Sequence, residues 1–257
     1  MAKQANGKKS NPGKASFSVE ATEYLNRVLE SAVAPLELLK QPVMELGRDE
    51  PYGYFTVLRI NSLDMGALYP AQYRITTNRN AQSVKLATWA LRQLSQWLPR
   101  QKDVQRVSFY CPVKMLLRGN LEKLLEAEAK RAATYLSRLS IELSGDLLYE
   151  DAEVAAACMD ALRKHYGVHF LLSEYGHEYC PVLRLPSYPV DAVLLDSSID
   201  SEQVLLSPAV SAAVKTAKTF GKKILLDTCG DRALISAAKE LGVDFEVRST
   251  SDSTWRG

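Results

Sequence analysis

Residues 169–196 read HFLLSEYGHEYCPVLRLPSYPVDAVLLD, and this stretch decides the fold class that the sequence predicts. Its two ends are short apolar runs, and its middle is a loop that contains glycine and proline. Apolar runs of this length between turn-forming residues indicate buried β-strands. The first run ends near Ser173 and Glu174, and the second ends with Leu194, Leu195 and Asp196. In barrel enzymes such strand ends carry the functional side chains.

Strand and helix patterns alternate on both sides of this stretch. Strand patterns cover residues 36–46, 53–60, 104–113, 139–144, 168–175, 190–196, 222–228 and 243–248. Helical patterns cover residues 19–33, 81–98, 120–136, 151–166, 207–221 and 231–242. This alternation predicts a parallel sheet covered by helices. We therefore expect an α/β fold of the (β/α)8 type, a TIM-like barrel in a single domain, and a doubly wound open sheet is the alternative.

The composition is typical of a soluble globular protein and limits its partners. Of the 257 residues 46% are hydrophobic, and 32 basic against 30 acidic residues leave a net charge of +2. This balance does not indicate a nucleic-acid partner. No apolar run approaches the ~18 residues that span a bilayer, and the first residues are polar, so we expect no membrane insertion and a cytoplasmic protein. The four cysteines form no CxxC pair and indicate neither a zinc site nor a redox motif.

The two ends of the chain differ in composition from its middle. Residues 1–16 contain four lysines and no acidic residue. Such a segment cannot bury enough apolar surface to order itself, so we predict a disordered basic tail over residues 1–16. The barrel domain is predicted over residues 17–250, and residues 251–257 are expected to form a C-terminal tail.

Seven motifs, in their order and spacing, resemble the EAL domain, a bacterial barrel that hydrolyses the second messenger cyclic di-GMP. The motifs are LKQPV (39–43), GYFTVLRI (53–60), SFYCP (108–112), IELSG (141–145), LSEYGHEY (172–179), YPVDAVLLD (188–196) and LDTCGDRALISAAKELGVDFEV (226–247). Their family counterparts include the QPI, EALLR, VNLSP and LDDFGTGY motifs. The resemblance covers about residues 33–248 and implies the barrel fold of that family.

The same resemblance implies that most catalytic positions of the family hold other residues here. Phe55 stands at the position of the signature glutamate, and Phe109 at that of the metal-binding asparagine. Ser173 stands at the first aspartate of the acidic pair, and Leu194 at the catalytic lysine. Gly230 stands at the position of a further glutamate. Glu142 is identical to the family residue. Glu174 and Asp227 keep a carboxylate, but their side chains differ in length from those of the family by one methylene.

These replacements imply that the chain is not an enzyme. The family's reaction needs two divalent cations, and each hard cation takes about six oxygen ligands. An aromatic ring or an alkyl chain supplies none, so we predict an inactive domain with no catalytic residue, no metal and no cofactor. An alternative is that Glu142, Glu174, Asp196 and Asp227 gather at the barrel mouth and hold one cation. Hydrogen bonding of these acids to loop amides, or pairing with basic side chains, is the simpler interpretation.

Three functions from different classes remain open. The first is a regulatory module of bacterial signalling that binds a protein partner. Phe55, Phe109, Tyr175 and Tyr179 would supply rigid contact area at the mouth of the barrel. The rings can instead fill the pocket that the lost ligands vacated. The sequence identifies neither the partner, nor the oligomeric state, nor the regulated process.

The second function is a cyclic di-GMP receptor that binds without cleaving, and the third is a residual phosphodiesterase. The resemblance assigns Gln41, Arg59 and Glu142 to ligand binding, and a guanidinium can clamp a phosphate with two hydrogen bonds. Arg59 can instead pair with Glu142 inside the barrel. The basic segment RITTNRN (74–80) is either a solvated loop or a new contact surface.

Overall fold

The structure is a computed structural model that describes residues 27, 36–62, 66–70, 72–74, 82–177, 180–200, 204 and 207–249. Of the predicted helix over residues 19–33, only Arg27 is described, and it is helical. The predicted tails, residues 1–16 and 251–257, lie outside the described residues.

Nine strands in the described part of the chain form one sheet. They are β1 (Leu36–Glu45), β2 (Pro51–Ser62), β3 (Gly66–Leu68), β4 (Arg106–Tyr110), β5 (Leu139–Leu143), β6 (His169–Tyr175), β7 (Ala192–Leu195), β8 (Lys223–Asp227) and β9 (Phe245–Val247). Their order is β1-β9-β8-β7-β6-β5-β4-β2-β3, and β1 also pairs with β2. Eight strands therefore close into a barrel, and β3 is added to β2 outside it. The closure confirms the TIM-like barrel and excludes the open doubly wound sheet.

One strand departs from the predicted parallel arrangement. β1 is antiparallel to both β2 and β9, whereas the other neighbours around the barrel are parallel. Only residues 46–50 join β1 to β2, and parallel strands need a much longer crossover. β1 therefore begins at the end of the barrel where the parallel strands finish. This end is called the mouth below.

Helices cover the outside of the barrel. They are α1 (Gln82–Trp97), α2 (Val113–Leu117), α3 (Asn120–Ala132), α4 (Ala152–Tyr166), α5 (Pro208–Thr219) and α6 (Arg232–Leu241), and 3-10 turns lie at residues 98–100, 133–138, 145–149 and 182–187. α4 shows why the predicted ends hold: Asp151 accepts a hydrogen bond from the Val154 amide, and Gly167 ends the helix in the left-handed conformation. None of the helices in the described ranges is long and apolar enough for a membrane crossing.

The core of the described chain consists of three clusters, and side-chain alternation along the strands separates the one inside the barrel from the two outside it. The interior cluster, inside the barrel, consists of Val43, Phe55, Val57, Tyr69, Leu171, Leu194, Leu225 and Val247. The larger outer layer packs the other face of the strands against the helices. Because successive side chains of a strand point to opposite faces, a shift of one residue moves a side chain from one part of the core to the other.

Candidate functional site

The residues of β4 show which side chains reach the interior of the barrel. Val107 and Phe109 are fully buried in the outer layer. Ser108 and Tyr110 alternate with them and therefore face the interior. The expectation that Phe109 points toward the mouth is wrong, because its position is one residue away from the inward-facing set. Tyr110 takes the inward position at this level and lies opposite Glu142 of β5.

Phe55 and Leu194 do face the interior. Both belong to the interior cluster, and each is only 2% exposed. Phe55 lies opposite Gln41 in the ladder between β1 and β2, and Leu194 lies opposite Leu225 in the ladder between β7 and β8. An aromatic ring and an alkyl chain therefore occupy the barrel where the resemblance puts a glutamate and a lysine.

Glu142, the retained acid, pairs with Arg74 at the mouth. Its side chain is 1% exposed, and Arg74 Nη2 lies 3.3 Å from its Oε1. The Arg74 guanidinium also stacks on Tyr110, with Cζ 3.7 Å from the ring centroid. A carboxylate and the face of an aromatic ring both attract a cation. A cation of the protein itself therefore already faces Glu142.

Burial and the charge of the partner act in opposite directions on the pKa of each member of this pair. Burial raises the pKa of Glu142, and the positive charge of Arg74 opposes that shift. Burial disfavours the charged form of Arg74, but the negative groups around it, Glu142 first, raise the pKa of Arg74. Arg74 therefore remains a cation throughout the ordinary pH range.

Arg59 pairs with an acid that the sequence did not suggest. Its Nη2 lies 2.5 Å from Glu37 Oε2, and its Nη1 donates a hydrogen bond to the Tyr69 hydroxyl at 3.4 Å. The register between β1 and β2 puts Glu37 directly opposite Arg59. The alternative that Arg59 pairs with Glu142 is therefore wrong, since Glu142 pairs with Arg74.

Gln41 lies on the inner face of β1 and is 3% exposed. Neither its amide oxygen nor its amide nitrogen has a hydrogen-bond partner among the described residues. A buried polar group without a partner is costly and calls for an explanation. Gln41 thus retains hydrogen-bonding capacity that a polar ligand can use.

Two of the remaining acids are held by the loops that follow their strands. Asp227 accepts hydrogen bonds from Ser249 Oγ at 2.8 and 2.9 Å and from the Cys229 amide at 3.1 Å. Asp196 accepts one from the Ser198 amide at 2.9 Å. Within the ranges that the structure describes, no three Asp, Glu, His or Cys side chains are grouped as a metal site. The contacts therefore favour the interpretation that these acids bind their own loops.

Four positions that the resemblance assigns to metal binding or catalysis offer few oxygen atoms for divalent cations, each of which takes about six oxygen ligands. Phe55 and Leu194 carry no side-chain oxygen. Ser173 has a hydroxyl, which donates to the Leu143 carbonyl at 3.4 Å. Glu142 keeps its carboxylate, but the nearest cation to it is a guanidinium. Of these four positions, Glu142 alone offers a carboxylate.

Tyr175 is not a surface residue. It is fully buried in the outer layer, and its hydroxyl donates to the Ala213 carbonyl of α5 at 3.2 Å. It therefore packs β6 against α5 and cannot contact a partner at the mouth. Phe109 is excluded from such a contact for the same reason. Tyr179, the remaining tyrosine of the predicted contact set, lies outside the described residues.

Arg74 and Tyr110 are the side chains of the mouth that sequence reasoning missed. The sequence left two interpretations open for the basic segment that contains Arg74. Only the contact with Glu142 shows that the Arg74 side chain lies at the mouth. Tyr110 had a signal in the sequence. In residues 106–110 the buried Val107 and Phe109 alternate with more polar neighbours, and this period of two separates the faces of the strand.

The barrel and its mouth correspond to a known family. The profile of the EAL domain matches residues 32–246. This chain belongs to the EAL domain family.

Curated relatives of the chain come from two bacteria. A cyclic di-GMP phosphodiesterase of Pseudomonas aeruginosa is 25% identical over 173 residues, which are 63% of this chain and 28% of that protein. An uncharacterized signaling protein of Caulobacter vibrioides is 22% identical over 211 residues, which are 80% of this chain and 26% of that protein. The chain spans about a quarter of the length of these relatives.

Solved structures share the fold. The PaMucR phosphodiesterase in its c-di-GMP complex superposes with a TM-score of 0.75 at 21% identity, over 88% of this chain and 93% of that one. The FimX EAL domain from Pseudomonas aeruginosa bound to c-di-GMP superposes with a TM-score of 0.73 at 17% identity, over 88% of this chain and 92% of that one. At these identities the likeness establishes the fold alone.

Proposed function

We propose that this chain is a catalytically inactive EAL domain that acts as a regulatory protein-interaction module in bacterial cyclic di-GMP signalling. The observation that carries the proposal is the set of side chains at the mouth and in the interior of the barrel. Glu142 faces Arg74, and Phe55 and Leu194 fill the interior with apolar groups. Two-metal hydrolysis needs cations that activate a water and stabilise the displaced oxygen. The described side chains offer those cations too few ligands.

Arg74 supports the proposed inactivity through its charge. A divalent cation at Glu142 would lie within a few ångströms of the guanidinium, which is 3.3 Å from the carboxylate. Repulsion at that distance is screened only weakly, since the carboxylate is removed from water. Displacement of Arg74 would in turn separate a mostly buried cation from its counter-charge, which is unfavourable.

Hydrolysis of cyclic di-GMP, assayed with Mg²⁺ and with Mn²⁺, tests the inactivity. We expect no turnover above that of the Glu142→Gln variant. This variant is the matched control because it removes the retained carboxylate and keeps the size of the side chain. Metal-dependent turnover that Glu142→Gln abolishes would establish the residual phosphodiesterase instead.

An exposed apolar patch supports the protein-binding part of the proposal. Leu183 is 83% exposed, Tyr149 57% and Val154 52%. They lie in the turns that follow β6 and β5 and in the first turn of α4. Arg184 Nη2 donates to the Glu150 carbonyl at 2.8 Å and ties the two turns together. Large apolar side chains exposed on neighbouring elements are typical of interaction sites. Leu183, Tyr149 and Val154 are called the turn patch below.

Crosslinking of the tagged chain in its native cells, followed by mass spectrometry, tests the turn patch. We expect Leu183→Glu to lose a specific protein partner, because a carboxylate in an apolar contact would have to be desolvated. Phe220→Glu is the matched control, since Phe220 is 45% exposed at the end of α5, outside the patch. The unfolding free energy of both variants is measured in parallel. An identical partner set in both variants would contradict the proposal.

A non-hydrolysing cyclic di-GMP receptor is the second candidate, and Gln41 favours it. The buried amide of Gln41 has no partner among the described residues, and a polar ligand would satisfy it. Calorimetric titration with cyclic di-GMP, without and with Mg²⁺, separates this candidate from the first. Binding that both Gln41→Leu and Arg59→Gln weaken would support the receptor. Absence of binding to the wild-type chain would support the first proposal.

A further inference from the structure

A cavity opens at the end of the barrel opposite the mouth, where the parallel strands begin. Its volume is about 220 Å³. Its rim and inner wall include Arg106, His169, Lys223, Phe55, Leu171 and Leu225. The last three belong to the interior cluster, whereas Glu142 and Arg74 of the mouth do not line the cavity. The cavity is therefore distinct from the mouth.

Several inward-facing residues at this level are small and leave the space of the cavity open. The interior of a (β/α)8 barrel is normally filled by layers of bulky side chains. Here Gly53, Ser108, Ser140 and Ala192 line the space. Gly53 cannot be larger, since a Cβ there would lie 2.1 Å from the Arg106 carbonyl oxygen. An engineered cavity of about 150 Å³ is enough to bind benzene, so a single ring fits this one.

Arg106 puts a positive charge at the rim that no described carboxylate matches. Its Nη1 donates to two neutral acceptors, the Ser137 carbonyl at 2.6 Å and the Gln105 carbonyl at 3.5 Å, and among the described residues no acid forms an ion pair with it. The rim also contains the acid Asp191 and the further base Lys223, and each of them already forms an ion pair. Asp191 Oδ2 lies 2.8 Å from Arg163, and Lys223 Nζ lies 3.0 Å from Asp244. The remaining charge at the rim is therefore positive.

We propose that this cavity binds a small monocarboxylate with a compact apolar body, such as one aromatic ring. The carboxylate lies at Arg106, because a guanidinium forms strong paired hydrogen bonds with a carboxylate. The apolar body lies against Phe55, Leu171 and Leu225. This site is separate from the mouth, so it does not rest on the function proposed for the mouth.

Calorimetric titration near neutral pH with three probes tests the proposal. Benzoate has both the ring and the charge, benzyl alcohol has a ring of similar size without the charge, and acetate has the charge without the ring. We expect benzoate to bind about tenfold or more tightly than benzyl alcohol, as one charge-assisted contact allows, and acetate to bind least. No benzoate binding at millimolar concentration, or equal binding of benzoate and benzyl alcohol, would overturn the proposal.

Two substitutions locate the binding site. Arg106→Gln should lower the affinity for benzoate to about that of benzyl alcohol and leave benzyl alcohol unchanged. Ala192→Leu should fill the cavity and abolish binding of both, with a melting temperature no lower than that of the wild type. Ser140→Val serves the same purpose if Ala192→Leu does not fold. Benzoate binding that survives both Arg106→Gln and the filled cavity would place the ligand elsewhere and overturn the proposal.

Discussion

Arg74 changes the chemistry of the mouth although it lies on neither of the strands whose side chains it contacts. It reaches the mouth from the segment between β3 and α1 and places a guanidinium between Glu142 and Tyr110. A buried carboxylate needs a positive partner or a proton. In the proposed inactive domain, Arg74 supplies that positive charge permanently.

Phe55 should contribute strongly to stability. Its ring is 2% exposed within the interior cluster, so Phe55→Ala removes many contacts and enlarges the cavity that Phe55 lines. We expect Phe55→Ala to lower the free energy of unfolding by about 3–5 kcal/mol and Phe55→Leu by a smaller amount, because leucine retains part of the buried volume. Urea denaturation of both variants measures the difference. Equal stability of Phe55→Ala and the wild type would contradict the packed interior.

Glu142 should make stability depend on pH with a sign opposite to that of an ordinary acid. Its pKa is raised above the ordinary value of 4.5, mainly by burial. The folded state therefore binds a proton at Glu142 more tightly than the unfolded state does. The resulting contribution to the free energy of unfolding is fully present below the ordinary pKa and is lost as pH rises through the folded pKa. As pH rises through the folded pKa of Glu142, we expect the free energy of unfolding of the wild type to fall relative to that of Glu142→Gln. Urea denaturation at several pH values measures it, and the reverse trend would mean that Arg74 outweighs burial.

At the scale of elements, the ladder between β2 and β4 is short, and the buried Thr56 hydroxyl, which donates to the Ser108 carbonyl at 2.7 Å, adds a second link between the strands. The ladder contains two register pairs, Gly53 with Arg106 and Tyr54 with Val107. At the first pair the two backbones approach so closely that only glycine fits, because a Cβ on Gly53 would lie 2.1 Å from the Arg106 carbonyl oxygen.

Gly53→Ala should separate β2 from β4. We expect a loss of more than about 2 kcal/mol in the free energy of unfolding, because a backbone atom cannot move aside as a flexible side chain can. Gly119→Ala is the control. Nothing lies within 4 Å of its added Cβ, and only its φ of +71° is unfavourable. That control should cost about 1 kcal/mol. Equal losses in the two variants, measured by thermal denaturation, would contradict the steric explanation.

At the scale of the whole molecule, the interior cluster joins strands from both ends of the described chain. Val43 and Phe55 come from β1 and β2, and Val247 comes from β9. The pairing of β1 with β9 closes the barrel around them. Separation of β1 from β9 would therefore expose apolar side chains of both strands to water.

The barrel should therefore unfold as one cooperative unit. We expect the slowest backbone amides of β1, β5 and β9 to exchange hydrogen with the same free energy, which should equal that of global unfolding. Native-state hydrogen exchange at increasing denaturant concentration measures these values. A smaller free energy for the hairpin of β1 and β2 would show that this hairpin opens by itself.

The sequence by itself determined the elements and the family. The alternation of apolar strands and helices is a local signal, and so are the caps at Asp151 and Gly167, so both could be read without contacts. The expectation that Phe55 faces the interior agrees with the structure, whereas the same expectation for Phe109 is wrong. The antiparallel start of the barrel was readable in principle from the short turn over residues 46–50, but the overall alternation pointed to parallel strands.

Only the tertiary structure decided which charges meet. Arg59 and Glu37 are 22 residues apart, and Arg74 and Glu142 are 68 apart, so strand register and the path of a connecting segment choose these partners. A motif comparison also could not fix the face of β4, because one residue of register exchanges Phe109 for Tyr110 at the mouth. The cavity opposite the mouth depends on small residues from several strands at one level of the barrel. Such a layer exists only after the barrel closes.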